Sequence, residues 1–501
     1  MQSSSPHAAL EKHALHQPDA DAIIFEDTKL SHGDIFERVT RCAFWLTSNG
    51  VIPGEATGIC IRNELTHLVC ATALLCMGTP QIGLGSHETD ETKRQLARKV
   101  GATQLVVEKL EPWMAGLRAV VVDYDEIARA RGTIGSELFL ASPVGSVAVY
   151  SNTSGTTSLP RTFEISYGRL NLNTNRYAAD PKEKRSLRLG SIEFDANRLT
   201  RICSLLAGNA SIGLRQYSLN SLVSLCERES VSVLRVGPHR LATLLRSSPS
   251  GRRLPPDTAI LVSGARVCGA LRKQVQAQLS GNLWVQYATS EIGLVSTAEP
   301  GLHDAFPEGV GFPERGVTME ITGCEDEIVG PGEIGHVRIR KETMACGYIA
   351  EPGAYTKFTD GWFSPGDLMS RELDGPLIFH GRADDVMILN GMNIFPSAIE
   401  DVLESLPNIR EAVAFPLKSR IHGEIPAAAV VLSEKAEDED ISRMLRYCQQ
   451  RLGVRAPRQI RVVDSIPRNA VGKPLRKELA ASQRSRSQES GPAKSRPRGI
   501  A

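Results

Sequence analysis

The sequence predicts an α/β protein of more than one domain, and three observations carry that reading. The chain has 501 residues, roughly three to four times the usual domain length, so a single hydrophobic core is not expected to enclose it. From Val231 onward short apolar runs alternate with amphipathic ones, the pattern of right-handed βαβ units in a mainly parallel sheet. After Gly301 that texture gives way to strands punctuated by Gly and Pro, the pattern of antiparallel pairing.

Taken in order, residues 1 to about 145 mix helical and short extended patterns. Asp34 to Thr47 repeats apolar residues at Ile35, Val39, Ala43 and Leu46, which marks one face of a helix. VGSVAVYSN is then a β-branched run that opens into a Ser/Thr/Gly loop. VSVLRVG, TAILVSG and LWVQYA read as strands, with PHRLATLL and RVCGALRKQVQAQL as the helices between them. VGFPERGVTMEIT and GEIGHVRIRK read as antiparallel strands. From about 385 to 480 come helix SAIEDVLESL, strands AVAFPL and AAAVVLS, helix EDISRMLRYCQQRLG and strand IRVVDS, enough for a small α+β domain. Residues 481–501 are rich in Ser, Arg and Pro; they have too little apolar surface to fold and are expected to form a disordered basic tail.

Lys and Arg number 58 against 57 Asp and Glu, a formal charge of +1. That balance argues against a dedicated nucleic-acid binder, which needs a basic stripe to neutralise phosphates. The 10 cysteines form no CxxC pair and have no His cluster beside them, so a zinc site is not expected. Most lie in apolar runs such as LVCATALLCM, as buried free thiols of a reducing compartment do. The N-terminus lacks the apolar core of a signal peptide, and the run from Leu68 to Met77 is far short of a membrane span. The expectation is a cytoplasmic protein.

Five segments carry chemistry. The first is Thr153, Ser154, Gly155, Thr156, Thr157, then Ser158-Leu-Pro-Arg161, whose hydroxyls and unencumbered backbone N–H groups can wrap phosphate oxygens. Alone it is a common turn composition. Four more follow it: Tyr287-Ala-Thr289-Ser290-Glu291; Ser364-Pro-Gly-Asp367; Gly381-Arg382-Ala-Asp384-Asp385 running on to Asn390-Gly391-Met-Asn-Ile-Phe-Pro396; and Pro467-Arg-Asn-Ala-Val-Gly-Lys473. In this order and spacing the set resembles the adenylate-forming superfamily of acyl- and aryl-CoA synthetases, luciferases and peptide-synthetase adenylation domains. The resemblance runs from about His13 to Leu479.

The resemblance implies a large N-terminal domain, 1–383, of two mixed or parallel sheets flanked by helices plus a β-barrel-like subdomain. A small mobile α+β lid, 384–480, follows it. It implies ATP and Mg²⁺ as cofactors and a two-step reaction: a carboxylic acid displaces pyrophosphate from ATP, then a pantetheine thiol, of CoA or a carrier protein, displaces AMP. The 153–161 loop would hold the β- and γ-phosphates, Glu291 would ligate Mg²⁺, and Thr289 and Ser290 would hydrogen-bond the α-phosphate. Tyr287 would stack on adenine beside Ser263, Gly264 and Ala265, while Asp367 and Arg382 would hold the ribose. Lys473 would stabilise charge building on the α-phosphate and the attacking carboxylate. Asp384 matches the family hinge and Gly391 the thiol channel.

Ser158 and Arg161 stand where the family pattern has Gly and Lys, and Ala288 where it has Gly. By position in the family, Asp195, Leu199, Gln286, Leu294 and Val295 would line the acid pocket. Asp195 has two readings: a partner for a substrate ammonium, as in amino-acid-activating relatives, or an N-cap for the apolar-striped helix after it. The leading expectation is an acid–thiol ligase. Its rivals are a stand-alone amino-acid adenylating enzyme that loads a carrier protein, a ligase with an amine acceptor, and a nucleotide-binding pseudo-enzyme.

Overall fold

Residues 57–166 supply a six-stranded sheet in the order Arg118–Val121, Gln104–Val107, Thr57–Cys60, Gln81–Gly83, Val147–Asn152 and Thr162–Ser166. Its neighbours are parallel except for the last pair. This computed structural model describes residues 5–130, 136–139, 142–153, 160–247, 251–349, 357–390, 392–419, 423–433, 438–470 and 472–481. Gln104–Val107 is buried at every position, the mark of a strand with both faces covered. One cover is helix Glu64–Cys76, which is buried from Thr66 to Cys76. That explains why LVCATALLCM is apolar all round rather than striped. Cys42 and Cys70 lie 3.7 Å apart, sulfur to sulfur, in this layer, and all ten cysteines are free thiols.

The second sheet starts at the N-terminus. Asp21–Phe25 lies antiparallel to Thr28–Ser31 and parallel to Ala210–Gly213. Parallel strands Arg185–Arg188, Val233–Val236, Ala259–Val262 and Leu283–Thr289 continue it. The helix expected over Asp34–Thr47 spans His32–Ser48, opened by a reciprocal capping box between Ser31 and Asp34. Past Leu283–Thr289 the sheet turns antiparallel through Gly293–Ala298, Gly309–Pro313, Leu377–Arg382, Asp367–Arg371 and Gly335–Lys341. Gly311, with φ +78°, sits where a Cβ would lie 1.8 Å from the Thr297 carbonyl oxygen; only glycine allows that close crossing.

A separate five-stranded sheet follows the turn Ala383–Asp385. Its centre is the long hairpin Ile409–Ser419 with Gly423–Leu432. Helices Pro396–Glu404 and Asp438–Leu452 pack on one face around Ile399, Leu403, Met444 and Cys448. No helix among the described residues is long and apolar enough to cross a membrane.

Candidate active site

The C-terminal ends of the parallel strands in the second sheet place most of the predicted residues together, the edge at which open α/β sheets hold ligands. After Ala259–Val262 the chain opens into half-buried Ser263 and exposed Gly264 and Ala265. Gly264 has φ +96° and open space where a Cβ would stand. One strand over, Leu283–Thr289 ends in a turn in which Thr289 Oγ1 accepts from the Ile292 N–H at 3.1 Å. Its hydroxyl proton remains to donate.

Tyr287 and Asp367 are joined at 2.6 Å, tyrosine hydroxyl donating to Oδ2, and Arg382 Nη1 donates to Oδ1 at 3.0 Å. Each carboxylate oxygen of Asp367 keeps a further lone pair, which is what a ribose diol requires. Tyr287 is 9 % exposed. Any stacking on a base is therefore made by a small remaining face. Burial, then the Asp367 charge and the hydrogen bond to it, raise the tyrosine pKa.

Glu291 is 8 % exposed, and its Oε1 accepts from the Tyr348 hydroxyl. Arg161 lies over the Tyr348 ring, 5.3 Å from its centroid, so the far end of the phosphate loop reaches the Glu291 turn. The loop is closed at its base: the Thr153 N–H donates to the Arg161 carbonyl at 2.8 Å, and Thr162 Oγ1 to Asn152 Oδ1 at 2.8 Å. Ser154, Gly155, Thr156 and Thr157 lie outside the described residues, as do Gly391 and residues 482–501.

Lys473, from the small C-terminal sheet domain, is half-buried. Burial pulls its ammonium below the usual lysine range and Arg382 pulls the same way, while Asp367 and Glu291 oppose them. The neighbouring Gly472 packs by the His239 side chain of the large part. Asp384 is exposed in the turn Ala383–Asp385, 3.7 Å from Arg382.

Two predicted pocket residues are placed elsewhere. Asp195 is the first residue of helix Asp195–Leu206, whose N-cap is Phe194, so it does not cap the helix. Its Oδ1 accepts from Arg198 Nη2 at 2.6 Å, and its Oδ2 from the Asn152 N–H at 2.6 Å and Ser151 Oγ at 3.2 Å. The carboxylate is engaged in tying this helix to the strand that enters the phosphate loop and is not free for a substrate ammonium. Val295 is fully buried in the antiparallel core with Val337 and Phe363, because alternation turns it away from the open face. Leu294 and Gln286 stay half-buried, and Leu199 packs on the edge of the main core.

Three residues that the motifs did not include complete the site. Arg169 is 7 % exposed and donates to the backbone carbonyls of Ser290 at 2.9 Å and Glu291 at 2.8 Å. Burial lowers its pKa to about 10, against the opposing Glu291 charge. Tyr348 holds Glu291, and Lys357 Nζ donates to the Pro365 carbonyl at 3.0 Å. For Arg169 the one sequence signal is a cation on the face shared with Leu170 and Tyr177; Tyr348 and Lys357 leave none.

The residues fit a nucleotide carrying its own Mg²⁺. Among the described residues no group of three His, Cys, Asp or Glu could hold a metal alone. Glu291 offers one buried carboxylate, and Mg²⁺ in such sites takes one or two protein oxygens with phosphate and water.

Comparison with known proteins agrees with this geometry. A family model described as AMP-binding enzyme matches residues 10–349, and one described as AMP-binding enzyme C-terminal domain matches residues 398–473. The chain is 25 % identical over 490 residues to a 2-succinylbenzoate–CoA ligase of Bacillus licheniformis, covering 94 % of this chain and 98 % of that protein. It is also 25 % identical over 496 residues to phosphinothricin tripeptide synthetase PhsC of Streptomyces viridochromogenes, covering 94 % of this chain and 45 % of that protein. In fold it matches the O-succinylbenzoate coenzyme A synthetase of Bacillus subtilis in complex with ATP and magnesium ion. There the TM-score is 0.83 at 22 % identity, over 94 % of this chain and 98 % of that one.

Proposed function

The chain belongs to the AMP-binding enzyme family, and from that membership we propose that it is an ATP-dependent acid–thiol ligase working in the cytoplasm. The observation that carries the reading is the hydrogen-bonded set Tyr287, Asp367 and Arg382 with buried Glu291 on the adjoining turn, and the Lys473 loop packed against the large part through Gly472 at His239. A carboxylate oxygen of the acid attacks the α-phosphorus of ATP, the bond to the β-phosphate oxygen breaks, and pyrophosphate leaves. A pantetheine thiol, of CoA or a carrier protein, then attacks the acyl carbon; AMP leaves and the thiol proton is released.

In this arrangement Asp367 and Arg382 hold the ribose, Thr289 donates to the α-phosphate, and the Lys473 ammonium meets the charge that builds on the attacking carboxylate and the phosphate. Arg161 and Lys357 are the cations for the outer phosphates, to which the 153–161 segment is also assigned. Glu291 would hold Mg²⁺ together with phosphate oxygens, and the bound ion would offset charge on the leaving pyrophosphate. The division into 1–383 and 384–480, with Asp384 as hinge and Gly391 at the thiol channel, is part of the same proposal.

Pyrophosphate exchange into ATP tests it across a panel of aliphatic, aryl and amino acids. The expected result is acid-dependent exchange lost in Lys473→Ala. A protein that binds ATP yet exchanges with no acid is the nucleotide-binding pseudo-enzyme instead. The bonds made by Asp195 count against the amino-acid reading, for which its carboxylate would have to be free.

A further inference from the structure

The ligase reading leaves the acid unnamed, and one face of the second sheet bears on it. Arg188 and Arg235 are paired neighbours on parallel strands, and Arg235 is in turn level with Leu261. Strand alternation puts Leu261, Trp284 and Gln286 on this same face. Arg235 Nη1 donates to Gln286 Oε1 at 3.2 Å, and Gln286 immediately precedes Tyr287 of the nucleotide site. Above Arg235 on its strand is Gly237, where an added Cβ would meet nothing within 4 Å. The strand end just past Arg235 is therefore open at Gly237.

The charges here do not cancel. Arg235 bonds Glu183 through Nη2, and Arg188 lies 4.0 Å from the other oxygen of the same carboxylate. The Arg188, Arg235 and Glu183 side chains are 4 %, 14 % and 3 % exposed. Two buried guanidiniums thus share one carboxylate, and the Nε of each has no partner. Asp180 is 3.6 Å from Lys182 Nζ, and Arg176 is exposed to solvent. Tyr177, 2 % exposed, lies with its ring centroid 5.8 Å from the Arg188 guanidinium and 5.7 Å from that of Arg235. Burial pushes its phenol up, yet Arg235, Arg188 and Arg176 together bring the net shift down, which reports a positive local field. A buried surplus cation with unpaired donors is costly unless an anion joins it.

We propose, resting on the ligase reading, that the acid carries a second anionic group, a carboxylate or sulfonate, bound by Arg235 and Arg188 at the end remote from the reacting carboxylate. Gln286 and Thr289 are three residues apart on one strand, roughly 10 Å, so the two acid groups are separated by a short chain or one ring. The same field repels a substrate ammonium.

The test is pyrophosphate exchange with diacids of about four to eight carbons and aryl diacids, each beside its own monomethyl ester, with ω-sulfo acids of matched length as a second arm. For at least one diacid or sulfo acid, kcat/KM is expected to exceed that of the singly charged analogue by at least about 100-fold. Arg235→Gln should bring that ratio close to one, mainly through KM, and Arg235→Lys should restore part of it. The preferred arm tells carboxylate from sulfonate. Singly charged acids used as well as diacids would overturn the inference and leave the ligase standing; no exchange with any acid, with ATP still bound, would sink the ligase itself. If Arg235→Gln lowers all acids equally and Arg235→Lys restores nothing selectively, the arginine is only structural and the assignment fails.

Discussion

Lys473 sits where burial and its proposed catalytic role oppose each other. Its ammonium is pulled below the usual lysine range by burial and then by Arg382. Holding it charged therefore destabilises the closed fold at pH values below that lowered pKa, and the penalty fades as the pH rises to the unfolded lysine value. Lys473→Ala is expected to slow adenylation by about 100- to 1000-fold while raising the melting temperature of the nucleotide-free protein. Differential scanning fluorimetry beside pyrophosphate exchange checks both. In the pH profile of kcat/KM for ATP, the wild-type rate should fall as the pH rises through the lowered pKa, and Lys473→Arg should move that limb to higher pH. Asp195 carries the opposite expectation. Asp195→Ala leaves Arg198, which is fully buried, without its partner, a loss of about 3–5 kcal/mol. Urea unfolding should register that loss, and all acids should suffer alike. The motif residues were legible because their spacing is distinctive, but a carboxylate at a helix start looks the same in sequence whether it caps, binds or braces. Only the Asn152 and Arg198 contacts distinguish the three.

The turn Thr289–Glu291 depends on a helix some 120 residues earlier in the chain, through the 121- and 122-residue separations of the Arg169 bonds. Helix Tyr167–Ala179 follows directly on strand Thr162–Ser166, which leaves the 153–161 segment, so one helix is tied to both segments proposed to bind phosphate. Arg169 is a positioning residue in this account. Arg169→Met should lower kcat by roughly 10- to 100-fold, raise KM for ATP, and leave the acid preference untouched; steady-state kinetics with two acids decides it. The strands after Val231 were legible because short, mostly apolar runs alternate with amphipathic helical ones, Ala259–Val262 being buried at every position. The pairing of Asp21–Phe25 with Ala210–Gly213 was not, since register between distant segments leaves no local periodicity. Val295 shows the limit at finer grain: family position put it in the pocket, and the pleat turned it into the core.

At the scale of the molecule, the small domain is latched by charge. Arg266 of the large part donates to Asp401 at 2.5 Å and lies 2.9 Å from Glu308; Ser397 Oγ donates to the His380 carbonyl at 2.9 Å. Glu404 is drawn into this interface beside Cys268. Burial and then Glu400 raise its pKa to about 7, against the hydrogen bonds from Cys268 and Ala412 and the Arg266 charge. Because its pKa is raised when docked, the docked arrangement holds more protons than an undocked one. Docking is thus favoured as pH falls through about 7 and weakened above it. Energy transfer between labels on the two domains should rise from about pH 8 to pH 6 in the wild type, stay level in Glu404→Gln, and drop throughout in Arg266→Ala. The same fold has a consequence for its own synthesis. Ile23 pairs with Ser211, so at about 5–20 residues per second the first strand of the chain waits roughly 10–40 s for its parallel partner to be made. Through that interval Ala22, Ile23 and Ile24, all buried in the finished sheet, are an uncovered apolar edge, open to pairing with other chains until residue 213 is made.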